Sequence, residues 1–207
     1  MVKDSANPYI NGFKAQRTDM NLRANVPIFI KKLIWELKYG VKNRELYSIP
    51  EDVASQLSRL PNDARILELG CGQGSLLKGL RRVGWQGQYC GVDISAAAIR
   101  VASEFEKGGN SSFIVSDIES FDSNQRWDVI AMIESVYYVK IEKVIEVLNR
   151  AMGMLNAGGY LLVRIHDFSK HQQYIDAINR LGARVEHTGP LLLILPTQDA
   201  RLVTVAN

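Results

Sequence analysis

Glu68-Leu69-Gly70-Cys71-Gly72-Gln73-Gly74 sets three glycines at alternate positions between a short apolar run and a helical pattern. Glycine lets backbone approach a ligand where any Cβ would collide. The helix that follows aims free amides and its positive dipole end at the same place, which suits an anion or a carboxylate. Asp93 ends the next apolar run, 23 positions after Gly70, and a carboxylate there accepts hydrogen bonds from both hydroxyls of a ribose. Its competing use, capping the next helix, is made redundant by Ser95. Asp117, in Ser116-Asp117-Ile118 at the end of a third run, is placed to accept from an amino group such as that of adenine. Taken alone it serves equally as a plain loop aspartate. The coincidence of all three contacts points to an adenosine-bearing ligand. The Gly-x-Gly-x-Gly spacing differs from the Gly-x-Gly-x-x-Gly form that serves a dinucleotide pyrophosphate, which disfavours a nicotinamide enzyme.

These residues need strand ends to hold them. Strand-like runs recur at 66–69, 89–94, 113–118, 127–133 and 160–165, and helical patterns lie between them. Residues 75–83 end at Gly84, and Ser95 caps 96–105. Ile141, Val144, Ile145, Leu148, Met152 and Leu155 keep helical spacing until Asn156, Gly158 and Gly159 break it, and 174–181 end at Gly182. Strands alternating with helices predict a mostly parallel sheet covered on both faces, with ligands outside the carboxyl ends of its strands. Two closing runs, 185–195 and 201–206, predict a terminal hairpin with one antiparallel strand. Upstream, Asn25 and Pro27 open a helix whose apolar face is Ile30, Leu33, Ile34, Leu37 and Val41. Ser48 and Glu51 form a capping box for a second helix carrying Ile49, Val53, Leu57 and Leu60, stopped by Pro61. Residues 1–24 have no clear period. The expectation is an α/β fold in one domain: a seven-stranded sheet with its last strand antiparallel, a helical cap over 1–47 and a core over 48–207.

A length of 207 residues allows one core with a modest extension. With 46% hydrophobic and 23% charged residues, the composition is that of a soluble globular protein. The densest apolar stretch, Leu191–Leu195, is strand-sized and too short to span a bilayer. The opening Met1-Val2-Lys3-Asp4-Ser5 lacks the apolar core of a signal peptide, so a cytoplasmic location is expected. Cys71 and Cys90 fit neither a metal knuckle nor a redox pair and are read as free thiols. A net charge of +3 is too small to argue for nucleic acid. The adjacent pairs Lys31-Lys32 and Arg81-Arg82 are read as solvated helix faces. His166, Asp167 and His171 are read as loop polarity, with no metal expected. No membrane partner is expected either, and the chain is read as a monomer or homodimer.

On the residues quoted above the chain resembles the class I S-adenosylmethionine-dependent methyltransferases, over roughly residues 63–165 and more loosely to the end. The resemblance implies a Rossmann-like methyltransferase domain, S-adenosylmethionine as cofactor, S-adenosylhomocysteine as product and no metal. Glu68, Gly70, Cys71, Gly72 and Gly74 are similar to the family's first motif, whose backbone would face the methionine part of the cofactor. Asp93 resembles the ribose-binding acid and Asp117 the adenine-side acid. Ile94 and Ile118 would flank the adenine, and Ile133 would lie near the sulfonium. DVIAMIESVYYV, residues 128–139, looks like the fourth-strand motif, and LNAGG, residues 155–159, like the turn before the fifth strand. The Asn/Asp-Pro-Pro-aromatic signature of enzymes that methylate exocyclic amines of bases is missing after the fourth strand. A cysteine nucleophile for ring carbons is missing too, because both cysteines fall in the cofactor half. The ESVYYV stretch is faintly similar to the nodulation-type N-methyltransferases that act on an amino sugar. The implied activity is methyl transfer to a nitrogen or oxygen of a small-molecule acceptor, nitrogen slightly ahead. An RNA or protein methyltransferase, a nicotinamide-dependent oxidoreductase and a non-catalytic binding module are the alternatives.

Methyl transfer needs alignment and a dry site more than a strong acid. A base matters when the acceptor is a hydroxyl or a protonated amine. Glu134 after the fourth strand and His166 after the fifth are the candidates, and imidazole is the side chain that ordinarily titrates nearest neutrality. Glu134 serves equally well as a group that orients its neighbours, and His166 as a loop histidine. Tyr138, with Tyr137, is placed to stack on a substrate or favour a cation, or simply to pack. The N-terminal helix would exclude water, with Tyr9, Phe13, Trp35 and Tyr39 as lining residues.

Overall fold

The computed structural model describes residues 24–40, 53, 56–57, 59–106 and 109–196. A helix α1 (Ile28–Gly40) precedes the sheet. Then follow β1 (Arg65–Leu69), α2 (Ser75–Arg82), β2 (Gln88–Asp93), α3 (Ala96–Phe105), β3 (Ser111–Val115) and β4 (Trp127–Ile133). Short 3-10 turns at Val136–Tyr138 and Ile141–Lys143 lead into α4 (Val144–Gly153), β5 (Leu155–Arg164), a 3-10 turn at Phe168–Lys170, α5 (Gln172–Asn179), β6 (Arg184–Thr188) and β7 (Leu191–Leu195). Among the described residues no helix is long and apolar enough to cross a membrane.

The seven strands order as β3-β2-β1-β4-β5-β7-β6. Strands β1 to β5 run parallel, and β7 is antiparallel to both β5 and β6. The chain winds outward from β1 to β3 on one side and from β4 on the other, so the order reverses between β1 and β4. Connecting loops diverge there and leave a crevice at the strand ends. Two apolar layers cover the sheet. Leu67, Leu69, Val92, Ile130, Met132 and Val163 face α4 and α5. Ile66, Tyr89, Val129, Ala131 and Leu162 face Leu76, Leu77 and Leu80 of α2, with Val53 and Leu57. Those last two come from the second expected helix and are fully buried; its Ser48, Ile49 and Glu51 lie outside the described residues.

Several boundaries differ from the expectation. The run 185–195 is two strands, β6 and β7, divided at Gly189-Pro190. Gly189 takes φ +58, and proline has no amide to continue a ladder. The terminal hairpin therefore lies before residue 196, and the run 201–206 is outside the described residues. Strand β5 begins at Leu155 because Trp127 pairs with Leu155 before the ladder shifts to Val129 opposite Tyr160. The turn expected at 155–159 is a bulged part of the strand. Helix α1 also turns a different face inward. Leu33 and Leu37 are 58% and 64% exposed, whereas Lys31 is buried. Lys31 is therefore no solvated residue: it finds a carboxylate and a carbonyl inside, while Leu33 and Leu37 face out and Ile30 and Ile34 are half-buried. Arg81 is likewise ion-paired to Glu106 and lies over the Trp85 ring.

Glu68 sits inside this sheet. Strands β1 and β2 place Ile66 beside Tyr89, and the Tyr89 hydroxyl donates to the Glu68 carboxyl, both side chains being buried. Burial pushes the Glu68 carboxyl up from 4.5 to about 8; the Tyr89 bond opposes this and the charge of Asp93 adds to it. The folded protein thus keeps a proton that the unfolded chain releases above about pH 4.5. The stability Glu68 contributes is complete below that value and is lost as pH rises through about 8. Urea unfolding between pH 5 and 8 should show a fall in stability that Glu68→Gln flattens; parallel pH profiles for the two proteins would refute this.

Candidate active site

Strand β1 ends in a turn that only glycine can make. Gly70, Gly72 and Gly74 have φ of +88, +52 and +76, which a Cβ resists. A Cβ on Gly70 would stand 2.5 Å from the Ser135 Cβ and 3.3 Å from Ile118 Cδ1. The turn is pinned to β2, with the amides of Gly70 and Cys71 donating to the Val92 carbonyl at 2.7 and 3.0 Å. Gly74 opens α2 and, lacking a side chain, supplies that helix no cap of its own, and a helix end of this kind suits an anion. Cys71 points inward, its sulfur 2.8 Å from where a Cβ on Gly91 would lie. Burial pushes its thiol well up. Its contribution at the turn comes from backbone, and both Cys71 and Cys90 are free thiols.

Asp93 closes β2 directly beside the turn. Its Oδ2 accepts from the Gly72 amide and its Oδ1 from the Ser95 amide, each at 2.9 Å. Burial raises the Asp93 pKa; bonds from Ser95 and Gly72 oppose the rise, and the charge of Glu36 reinforces it. The Ile94 amide also acts on this carboxylate and opposes the rise, and an ionised carboxylate, with about four acceptor sites, can take a further hydroxyl. Ser95 caps α3 by accepting from the Ala98 amide. The two amides before that one are taken by α1: Glu36 accepts from Ala96 at 2.6 Å and Ala97 at 3.1 Å. Ile94 lies half-buried between these groups.

Beyond β3, Asp117 and Ile118 are half-buried. Burial and then the charge of Glu119 raise the Asp117 pKa, with Lys31 and Lys143 opposing. Arg150 of α4 fixes this loop by donating to the carbonyls of Phe121 at 3.0 Å, Ile118 at 3.4 Å and Glu119. Glu119 in turn accepts from Lys31 Nζ at 2.8 Å and from the Lys140 amide at 3.1 Å. Burial alone would raise the Glu119 carboxyl, but these bonds and the charges of Lys31 and Lys143 outweigh it and hold it low.

On the other side of β1 stands the end of β4. Ile133 is half-buried, and Glu134 takes a left-handed φ of +53. The Glu134 carboxylate ion-pairs with Arg164 of β5 and accepts from the Tyr137 hydroxyl at 2.8 Å and the His166 amide at 3.2 Å. Ser135, buried, donates its hydroxyl to the Leu69 carbonyl at 2.6 Å and so ties β4 to β1. Tyr137 turns inward and stacks on His171, 4.2 Å between ring centres. Burial lowers the His171 pKa against the charges of Glu134 and Asp167, and among the described residues its Nδ1 has no hydrogen-bond partner. Tyr138 turns outward and meets Trp35 of α1 edge to face at 5.0 Å. His166 is exposed. Asp167 accepts from Ser169, Lys170 and the Lys170 amide within its own turn. Among the described residues no group of three or more acids, histidines or cysteines is placed to hold a metal ion.

The turn, Asp93, Ile94, Asp117, Ile118, Ile133, Glu134, Tyr138 and His166 therefore gather at the carboxyl ends of neighbouring parallel strands. Glu68 lies beneath them, its Oε2 on the Tyr89 hydroxyl and its charge felt by Asp93 and Cys71. Trp35 and Tyr39 reach the site, the Tyr39 hydroxyl lying 2.9 Å from the Cβ position of Gly72; Tyr9 and Phe13 lie outside the described residues. Sequence reasoning missed Ser135, Glu36, Glu119, Arg164 and the buried role of Lys31. The spacing of Lys31, Trp35 and Tyr39, four residues apart on one helical face, was the available signal.

Comparison with known proteins agrees with this geometry. Residues 42–190 match the family model described as a methyltransferase domain. The mitochondrial ubiquinone biosynthesis O-methyltransferase of Candida albicans is 26% identical over 134 residues, 61% of this chain and 39% of that protein. The ubiquinone biosynthesis O-methyltransferase of Bradyrhizobium sp. (strain ORS 278) is 34% identical over 101 residues, 48% of this chain and 38% of that protein. The chain thus spans about two fifths of the length of these relatives. The N-methyltransferase NodS of Bradyrhizobium japonicum WM9, solved with S-adenosyl-l-homocysteine, shares the fold with a TM-score of 0.60 at 18% identity, covering 79% of this chain and 95% of that one. With a family model matched over most of its length and a glycine turn and a switched strand order to match, the chain belongs to the class I S-adenosylmethionine-dependent methyltransferases.

Proposed function

We propose that the chain transfers the methyl group of S-adenosylmethionine to an oxygen or nitrogen of a small-molecule acceptor. The observation that carries this reading is Asp93, whose two oxygens are pre-held by the Gly72 and Ser95 amides beside the end of α2 that Gly74 opens. That arrangement suits a ribose at the acid and a carboxylate at the helix, so the residues fit the cofactor. The amides at the start of α2 would take its carboxylate, Asp93 the ribose hydroxyls and Asp117 the adenine amine, with Ile94 and Ile118 against the ring.

When bound, S-adenosylmethionine supplies an electrophilic methyl group on a sulfonium. The chain's own part is to align the acceptor and keep water out, and alignment can be worth about 7–11 kcal/mol. A small acceptor is favoured because α1 lies across the crevice with Trp35 against Tyr138 and Tyr39 over Gly72. The two curated relatives, both named O-methyltransferases, support a hydroxyl; the N-methyltransferase likeness is one of fold. On this reading His166 takes the acceptor's proton on an imidazole nitrogen. Glu134 is better suited to positioning than to proton transfer, since Arg164, Tyr137 and the His166 amide already engage its oxygens.

Calorimetric titration with S-adenosylhomocysteine should show one-site binding that Asp93→Ala weakens about a hundredfold, the loss of two hydrogen bonds to a charged acceptor. A flat trace for the unaltered chain, or equal binding by both, would remove the cofactor assignment. Screened against small phenols and amines, the protein should turn over at least one class. His166→Ala should then lower kcat by about 10²–10⁴-fold while leaving cofactor affinity unchanged; an undiminished kcat would take the base role from His166.

A further inference from the structure

Lys31 lies on the inner face of α1, only 6% exposed. Its Nζ donates to Glu119 Oε1 at 2.8 Å and to the Tyr138 carbonyl at 3.0 Å. These partners belong to opposite halves of the site: Glu119 follows the adenine-side Asp117, and Tyr138 follows the acceptor-side Glu134. Around the pair stand Asp117, Lys140, whose amide also reaches Glu119, and Lys143, 3.4 Å from the second Glu119 oxygen. One turn along, Glu36 occupies the first two amides of α3. Trp35 stacks on Tyr39, one turn further along the helix, at 5.5 Å. The whole helix precedes the segment, 42–190, that matches the family model.

A buried charge is tolerated only where its partners are in place, and removing one partner strands the other. The Lys31 and Glu36 attachments are polar, so lifting the helix returns them, Glu119 and the α3 amides to water while parting Trp35 from Tyr138, and the contact can break and reform. The closed arrangement covers the glycine turn, which a nucleoside must pass to enter or leave. We propose that Lys31 is a positioning residue for methyl transfer, the buried cation that latches α1 over the cofactor site and joins its adenine-side loop to its acceptor-side turn, so that unlatching governs cofactor exchange. The proposal rests on the cofactor reading above.

Surface plasmon resonance on the immobilised full chain, with S-adenosylhomocysteine as the probe, reads association and release separately. Lys31→Met should speed release at least about tenfold, and Lys31→Arg, which keeps the cation, should return most of the slow release. Glu36→Gln leaves the buried pair intact and should speed release by a smaller factor. It keeps the test decisive if Lys31→Met fails to fold by circular dichroism. Unchanged release in folded Lys31→Met and Glu36→Gln, or in Glu36→Gln alone when Lys31→Met does not fold, overturns the latch and leaves the cofactor reading standing. Failure of the unaltered chain to bind overturns both.

Discussion

Backbone passes Ser135 at the end of β1 so closely that no side chain fits between, and the rest of the site is arranged around that approach. A Cβ on Gly70 would stand 2.5 Å from the Ser135 Cβ. The Ser135 hydroxyl uses the same closeness to reach the Leu69 carbonyl. This holds the ends of β1 and β4 together just where the chain's two windings part, so the crevice has one rigid corner. Every other contact is measured from it: the turn meets Asp93 on one side, and the chain leaving β4 enters Glu134 on the other.

Strand ends collect acids, and the structure treats each acid differently. Glu68 is buried and protonated against Tyr89, Asp93 is held by two amides, Glu134 is neutralised by Arg164, and Glu119 by Lys31 and Lys143. Asp117 alone relies on a neighbour's counterions. The result is a pocket rich in hydrogen-bond acceptors with little uncompensated charge, suited to gripping a ligand's hydroxyl and amino groups.

What the sequence revealed was local. The glycine spacing, Asp93 ending its run and Ser95 beginning a helix are all written within seven consecutive residues or fewer, and each stands where it was expected. The hidden contacts are long-range: Lys31 with Glu119, Glu36 with Ala96, Ser135 with Leu69, Arg164 with Glu134. Apart from the helical spacing of Lys31 with Trp35 and Tyr39, nothing in their neighbouring residues marks them. Apolar spacing also misled in α1, where Leu33 and Leu37 suggested an inward face that polar anchoring by Lys31 and Glu36 turned around. In the 185–195 run, β-branched and leucine residues hid the Gly189-Pro190 break that divides it.

The left-handed backbone of Glu134 has a mechanical consequence. A residue of that type there stores about 1–3 kcal/mol of strain, which its three side-chain contacts must hold in check. The bend it makes sends two successive tyrosines in opposite directions, Tyr137 onto His171 and Tyr138 onto Trp35. Arg164 in the fifth strand thus holds the bend from which Tyr138 reaches the N-terminal helix, so the helix's aromatic seat is set by the sheet as well as by its own polar anchors.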